Sequence, residues 1–175
     1  MQGSKDTLKG QNNMRLMAID PGNTHSAYVI VDEDMRIYEH GKVENNTLRM
    51  LISHRPEITH YAIENIASYG MPVGKEVFET AVWVGRFHEC ALHVNNQVPV
   101  SYIYRADEKL CICHSPKAND ATIRHALIDR FAMFDFKTGK GTKKQPDWFY
   151  GFAADEWSAF AVAVTWNEKR KEINV

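Results

Sequence analysis

The stretch that decides the fold lies near the N-terminus and reads Leu16-Met17-Ala18-Ile19-Asp20-Pro21-Gly22-Asn23-Thr24. Its apolar run ends abruptly at Asp20, a tight turn follows, and a second apolar run covers Ala27 to Val31. This pattern predicts two antiparallel strands joined by the turn. A carboxylate at the end of a buried strand is costly unless its charge is compensated, and a divalent metal is one such partner. The alternative is that Asp20 only shapes the turn, since Asp-Pro-Gly is ordinary turn chemistry.

The composition is that of a soluble globular protein. The chain has 175 residues, of which 44% are hydrophobic and 25% charged, and this length suits one domain with a sizeable core. We expect residues 1–13, which are polar and contain glycine, to form a flexible segment ahead of a single domain over residues 14–175. No apolar run approaches the length of a membrane span. The formal net charge of −1 excludes a uniformly basic nucleic-acid binder but allows a local basic patch.

The cysteines predict a reducing compartment, and we expect a cytoplasmic protein, because three thiols do not make a disulfide framework. The run Cys111-Ile112-Cys113-His114 is spaced more tightly than ordinary zinc ligands and no second pair follows. We therefore expect buried thiols rather than structural zinc. The sequence also contains no Ser/His/Asp order, no Walker-type phosphate loop and no dinucleotide fingerprint. These patterns give no support to a zinc domain, a triad hydrolase or a dinucleotide enzyme.

Hydrophobic periodicity predicts the order of strands and helices. Strands are expected at residues 14–20, 26–31, 35–43, 60–64 and 99–104, and helices at 45–54, 74–94, 119–134 and 152–169. Residues 106–114 fit a short helix or a strand, and residues 135–150 predict a polar loop. The first three strands follow one another closely and should be antiparallel, whereas strands joined through helices are usually parallel. The predicted fold is α/β, a mixed five-stranded sheet flanked by helices.

Acidic residues lie at the ends of strands and of a helix that this predicted fold would bring together. Asp20 and Glu64 end the first and fourth strands, so their side chains emerge at one sheet edge if those strands are parallel neighbours. Asp155 lies near the start of the last helix, whose small residues allow a close approach to the sheet. Three converging acids repel one another without a cation, and oxygen ligands select Mg²⁺ or Mn²⁺. The alternatives are a solvated strand-end acid at Glu64 and a dipole-favoured helix acid at Asp155.

Two such metal ions about 3.5–4 Å apart activate a water and stabilise the leaving oxygen in phosphodiester cleavage.

Three motifs together resemble the RuvC-type Holliday junction resolvases of the RNase H-like superfamily. They are Ala18-Ile19-Asp20-Pro21-Gly22, Ala62-Ile63-Glu64 before a long helix, and Asp155-x-x-Ser158-Ala159 opening an alanine-rich helix. The resemblance covers about Met14 to Trp166, and the segment from Lys117 to Phe134 also fits. It implies Mg²⁺-dependent nicking of four-way DNA junctions by a homodimer, with Mn²⁺ as a substitute and Asp20, Glu64 and Asp155 as catalytic metal ligands.

One departure from the family affects the last helix. In the family, this helix carries an acidic residue followed three residues later by Asp-Ala. Here Asp155 stands at the first acidic position and Ser158 at the second. Glu156 or Asp147 are the candidates for a fourth acid. Three other functions stay open: cleavage of flaps or RNA–DNA hybrids, a junction-binding module with a weakened site, and an actin-like ATPase. The last needs two related lobes, for which 175 residues are too few.

Basic and aromatic residues near the predicted site suggest contacts with DNA. The loop before the last helix carries Lys137, Lys140, Lys143 and Lys144, which suit phosphate contacts or a merely solvated loop. Tyr69 and Lys75 follow the Glu64 strand, where an aromatic ring can stack on bases or pack down on the protein. Further phosphate candidates are Lys117, Arg86, Arg105, Lys109 and Arg124. Trp83 and Phe87 on the long helix suit a dimer interface or the core.

Overall fold

The computed structural model describes residues 14–67, 70, 72–94 and 98–173, with the side chain of residue 173 left out. The strands are β1 Leu16–Asp20, β2 His25–Val31, β3 Ile37–Glu44, β4 His60–Asn65 and β5 Val100–Tyr104. The helices are α1 Asn45–Ser53, α2 Lys75–Val94, α3 Arg105–Cys113, α4 Asp120–Phe131 and α5 Glu156–Ile173. The segment that fitted either a helix or a strand is therefore the helix α3.

The five strands form one mixed sheet in the order β3-β2-β1-β4-β5. The pairs β1–β2 and β2–β3 are antiparallel, and the pairs β1–β4 and β4–β5 are parallel. Both features confirm the predicted fold class. Because Ile19 pairs with Ile63 across β1 and β4, Asp20 and Glu64 follow at the same end of two adjacent parallel strands.

Each face of the sheet has its own core. Along β1, Leu16 and Ala18 belong to the cluster that includes α4 and α5, while Met17 and Ile19 belong to the cluster that includes α1 and α2. This is the two-residue period of a strand buried on both faces. The central strand β1 is thus buried on both faces, and the half-buried Asp20 is the polar residue at its end.

The bounds of α1 and α2 differ from the predicted ones by one residue, and those of α4 and α5 differ by three or four residues at one end or both. Local hydrogen bonds explain the difference in α4. α4 ends at Phe131 rather than Phe134 because the next backbone N–H groups leave the helix. Those of Met133, Phe134 and Asp135 donate to the side-chain carboxylate of Asp147, at 2.8, 3.1 and 2.7 Å. The loop therefore competes successfully with the helix for these donors.

The last helix begins at Glu156 rather than at the predicted Phe152. Phe152 is buried, but it lies in the loop before α5, where its ring packs against Phe149 of the same loop and against Trp157 and Phe160 of α5. Its apolar character therefore reflects loop packing and not a helical turn. Within the described ranges, no helix is both long and apolar enough to cross a membrane.

Candidate active site

A network of buried polar groups fixes the turn after β1. The Gly22 N–H donates to Ser26 Oγ at 3.1 Å, the Ser26 hydroxyl donates to Asn45 Oδ1 at 2.6 Å, and Asn45 Nδ2 donates to the Gly22 carbonyl at 2.9 Å. A Cβ on Gly22 would lie 2.2 Å from the His25 carbonyl oxygen, so only glycine fits. Sequence reasoning missed Ser26 and Asn45, because they meet only through the β2–β3 pairing. The network holds Asp20 in a defined position at the sheet edge.

Asp20 and Glu64 form a hydrogen-bonded pair of carboxyl groups. Burial raises the pKa of Asp20 to about 8, helped by the charge of Glu64, the shared hydrogen bond and the charge of Asp155, and opposed by Arg105. Burial also raises the pKa of Glu64, although its hydrogen bond with Asp20 and the charge of Arg105 lower it. A hydrogen bond between two carboxyl groups needs a proton on one of them. A divalent cation can replace that proton, so the pair is suited to a hard metal ion.

Arg105, the first residue of α3, is the cation whose charge lowers the pKa of both Asp20 and Glu64. Its Nη1 donates to Glu108 Oε2 and its Nη2 donates to Asp120 Oδ1. Glu108 is completely buried, and its other oxygen, Oε1, has no hydrogen-bond partner. Burial and the charge of Glu64 raise the pKa of Glu108, while Arg105 lowers it. Sequence reasoning named Arg105 only as a phosphate candidate and missed Glu108, which lay in the segment of ambiguous structure.

Asp155 approaches the pair but is held by another residue. It directly precedes α5, and its main-chain carbonyl accepts the N–H groups of Ser158 and Ala159 at 3.1 and 3.2 Å. Its carboxylate forms an ion pair with Lys42 of β3, and its charge acts on Asp20. Across residues 14–67, 70, 72–94 and 98–173, no three His, Cys, Asp or Glu side chains lie close enough to hold one metal ion. A three-acid site therefore requires the Asp155 carboxylate, now paired with Lys42, to lie closer to Asp20 and Glu64.

The candidates for a fourth acid have partners of their own. The Glu156 carboxylate accepts the Ala153 N–H, and its Oε1 lies 3.2 Å from His40 Nδ1. Asp147 accepts the three N–H groups after α4 and that of Trp148 at 2.7 Å. Burial favours a higher pKa of Asp147, but the four backbone donors together hold it below its usual value. Both carboxylates thus stabilise the chain around α5.

Two hollows meet at Arg105. One is lined by Asp20, Glu64, Thr80 and Arg105 among others, and the second by Arg105, Arg124, Lys137, Asp155 and Ser158 among others. The Arg124 guanidinium lies over the Trp157 ring, 4.7 Å from its centroid. The second hollow therefore combines three cations with Asp155, and it continues to the acid pair through Arg105.

The remaining predicted residues are spread over the surface. Lys137, Lys143, Lys144 and Lys117 are exposed, and Lys140 and Lys109 are half-buried. Exposed Lys75 pairs with Glu79 at 3.3 Å. Arg86 lies over the Trp83 ring and lines a hollow between α1 and α2, apart from the acids. Tyr69 lies outside the described residues.

Of the two possibilities given for Trp83 and Phe87 on α2, the structure supports the core. Phe87 is fully buried in the core between α2 and the sheet, with Trp83 partly buried beside it. The apolar side chains that α2 leaves exposed are instead Phe78 and Val82. Phe87 faces inward because Val84, Phe87 and Ala91 share the helical face that packs on the sheet.

No family model and no curated protein matches the sequence. Solved structures do match the fold. A structure of Thermus thermophilus RuvC in complex with a Holliday junction substrate has a TM-score of 0.63 and 17% identity over 91% of this chain and 96% of that one. Another structure of Thermus thermophilus RuvC gives 0.62 and 18% over 91% and 97%. The yeast mitochondrial Holliday junction resolvase Ydc2 gives 0.56 and 13% over 93% and 81%. The chain therefore has the fold of these RuvC structures, a mixed five-stranded sheet flanked by helices.

Proposed function

We propose that this chain, which has the fold of the RuvC-type resolvases, is a metal-dependent endonuclease that nicks four-way DNA junctions. The observation that carries the proposal is the Asp20–Glu64 carboxyl pair at the ends of adjacent parallel strands, held by the Gly22 turn. A fold neighbour was solved with a Holliday junction substrate. Branched DNA is accordingly the substrate class that we infer.

The donor set fits Mg²⁺, with Mn²⁺ as a substitute. Asp20 and Glu64 would provide adjacent oxygen donors for the cation, in place of their shared proton, and Asp155 would be the third ligand if it released Lys42. The metal supplies an activated water and stabilises the leaving oxygen. Glu156 is a weaker candidate ligand, because its carboxylate already caps Ala153 and contacts His40.

The hollow around Asp155 is the proposed path of the cleaved strand. Arg105 is fixed by two carboxylates, so its remaining N–H groups can donate to a phosphate without a large loss of side-chain entropy. Arg124 and Lys137 line the same hollow, and Lys140, Lys143 and Lys144 extend the positive charge along the loop. Lys117, Lys75 and Tyr69 are further DNA contacts that the sequence suggests. These contacts orient the backbone and carry no base sequence information.

We also propose a homodimer, since a four-way junction offers two related strands to cut. Phe78 and Val82 on the outer side of α2 are the apolar side chains that suit a second copy. Replacing Val82 with Asp would place a charge in that contact. Sedimentation of this variant as a monomer while the wild type sediments as a dimer would support this face.

The decisive experiment is a nicking assay on a synthetic four-way junction with and without Mg²⁺. Wild type should nick only with the metal, and Asp20→Asn and Glu64→Gln should both be inactive while keeping the fold. Asp34→Asn, an exposed acid in the β2–β3 turn, is the matched control and should retain activity. Equal rates for wild type and Asp20→Asn would contradict the proposal. Competing flap and RNA–DNA hybrid substrates in the same assay distinguish junction cleavage from a broader nuclease.

A junction-binding module with a weakened site is the second candidate. Two observations favour it: Ser158 lines the hollow at the family's acidic position, and Lys42 neutralises Asp155. Calorimetry with Mn²⁺ separates the two functions. Binding that is lost in Asp20→Asn supports the nuclease, whereas no binding at millimolar Mn²⁺ supports the binding module.

A further inference from the structure

The loop between α4 and α5 exposes large apolar side chains. Met133 is 70% exposed, Phe134 44% and Phe136 61%, all within four consecutive residues. Burying an aromatic side chain is normally favourable, and this loop does bury others, namely Phe149 and Phe152. The chain thus places some aromatic rings of one loop in the core and leaves others in water. Grouped exposed apolar residues of this kind usually mark an interaction surface.

Hydrogen bonds to two aspartates hold the backbone that carries the exposed rings. Asp147 accepts the N–H groups of residues 133–135. Asp135 accepts those of Lys137, Thr138 and Gly141 at 3.2, 3.1 and 2.9 Å. Phe134 and Phe136 therefore flank a residue that is bonded on its side chain and its backbone. The backbone that presents these two rings is therefore ordered before anything binds, which lowers the entropy cost of binding.

The backbone of the loop also requires glycine at its centre. Gly139 and Gly141 both have positive φ, of 70° and 65°, a conformation that costs other residues energy. A Cβ on Gly139 would lie 2.7 Å from the Phe149 ring. The loop is thus anchored to the core through Phe149 on one side while the phenylalanines at 134 and 136 remain outside. Its shape does not depend on those exposed rings.

Charge identifies the kind of partner. Lys137 directly follows Phe136 and lines the hollow that contains Asp155 and Arg105. Lys140, Lys143 and Lys144 lie on the same loop. Aromatic rings interleaved with lysines along a path are the usual arrangement for single-stranded nucleic acid, in which bases stack on the rings and cations contact the phosphates. Where the arms of a four-way junction meet, the continuous stack of bases is interrupted, so a base there leaves its neighbours at a lower cost than in a continuous duplex.

We propose that Phe134 and Phe136 form a platform on which unpaired bases at the branch point stack, while the loop lysines hold the flanking phosphates. The inference rests on the proposed function, since it assigns branched DNA to the same site. It adds a contact that recognises the branch itself, because bases in a continuous duplex are not free to stack on protein rings. The two rings should thus favour junctions over linear duplex.

The test is binding in EDTA to a four-way junction that carries 2-aminopurine at the branch point. The variants are Phe134→Ala/Phe136→Ala, the conservative Phe134→Tyr/Phe136→Tyr, and Tyr38→Ala. Tyr38 is 57% exposed and lies toward the Val31 end of the β2–β3 pair, whereas Lys42, the Asp155 partner, lies toward the opposite end. We expect the alanine pair to bind the junction about tenfold or more weakly. The tyrosine pair and Tyr38→Ala should bind like wild type.

Two readouts separate stacking from a general loss of structure or charge. The salt dependence of affinity should keep its slope in the alanine pair, because phenylalanine neutralises no phosphate, and Lys143→Gln/Lys144→Gln should reduce it. The 2-aminopurine signal should change with wild type and the tyrosine pair but not with the alanine pair. Thermal unfolding checks that all variants are equally folded.

The outcomes distinguish this inference from the proposed function. If wild type nicks and binds the junction but the alanine pair does so equally well with the same 2-aminopurine response, the platform is wrong and the nuclease stands. Equal weakening on linear duplex and junction would also overturn it. Wild type that binds no branched DNA refutes the proposed function itself. Binding to phosphatidylserine vesicles, or self-association, that the alanine pair loses while junction binding is unchanged would assign the surface to lipid or to a second copy instead.

Discussion

Aspartates in two regions of this molecule have opposite surroundings. Asp20, at the sheet edge, is half-buried beside Glu64, and its pKa is raised. Asp147, in the loop before α5, is buried but accepts four backbone N–H groups, and its pKa is lowered. The negative charge of Asp20 is poorly compensated, whereas that of Asp147 is stabilised by its four hydrogen-bond donors. A buried charge that the fold leaves uncompensated indicates a ligand, whereas one that the fold satisfies indicates structure.

The largest expected effect is on catalysis at the uncompensated site. Asp20→Asn keeps the shape of the side chain but removes its negative charge and one of the oxygens that would bind the metal. Nicking of a four-way junction should therefore fall on the order of 10³-fold or more. Single-turnover rates in saturating Mg²⁺ measure this. Asp147→Asn, the same chemical change at the satisfied carboxylate, should retain far more activity per folded molecule. Similar losses for the two variants would remove the distinction between the two regions.

The next effect is on stability and is largest at the satisfied site. Asp147→Ala leaves four backbone donors without their acceptor, which should lower the free energy of unfolding by about 3 kcal/mol. Urea unfolding followed by tryptophan fluorescence measures the change. Asp34→Ala, at an exposed acid, is the control and should change stability by less than about 0.5 kcal/mol. A stability loss at Asp147 no larger than at Asp34 would show that the loop does not depend on this carboxylate.

The sequence predicted the uncompensated region better than the satisfied one. The strand before Asp20 could be predicted because its apolar run and the Asp-Pro-Gly turn are local signals, and the strand order followed from which connections contain helices. The start of α5 could not, because buried Phe152 continues an apolar pattern although its ring packs in a loop. Ser26 and Asn45 stand 19 residues apart, and no local pattern pairs them. The ion pair between Lys42 and Asp155 likewise joins segments that are distant in the sequence, so no local pattern predicts it.

The third effect is a pH dependence with opposite signs in the two regions. Because the folded pKa of Asp20 is raised from 3.8 to about 8, the folded state retains a proton that the unfolded state has lost. Stability in EDTA is therefore greatest below pH 4 for this group and declines as the pH rises to about 8. Asp20→Asn removes the decline, so this variant should exceed wild type by on the order of 2 kcal/mol at pH 8 and by little at pH 4.

Asp147 should behave in the reverse way. Its folded pKa is lowered, so the stability it contributes is present above the ordinary pKa of aspartate and is lost as the pH falls through the folded pKa. The difference between wild type and Asp147→Asn should accordingly shrink in acid. Thermal melts of wild type, Asp20→Asn and Asp147→Asn from pH 3 to pH 8 measure both differences in stability. A difference for Asp20→Asn that does not grow with pH would contradict the raised pKa.

The smallest effect concerns Lys42, whose ion pair makes Asp155 resemble the satisfied carboxylates. Lys42→Met removes the competing cation and leaves Asp155 free to join Asp20 and Glu64, so Mn²⁺ should bind a few-fold more tightly, a gain of about 1 kcal/mol. Lys169→Met is the matched control, because Lys169 pairs with Asp107 at 2.8 Å with a similar exposure of the lysine side chain. Calorimetric titration of both variants with Mn²⁺ measures the affinity. Unchanged or weaker Mn²⁺ binding in Lys42→Met would mean that Asp155 does not take part in the metal site, which would then consist of the Asp20–Glu64 pair without it.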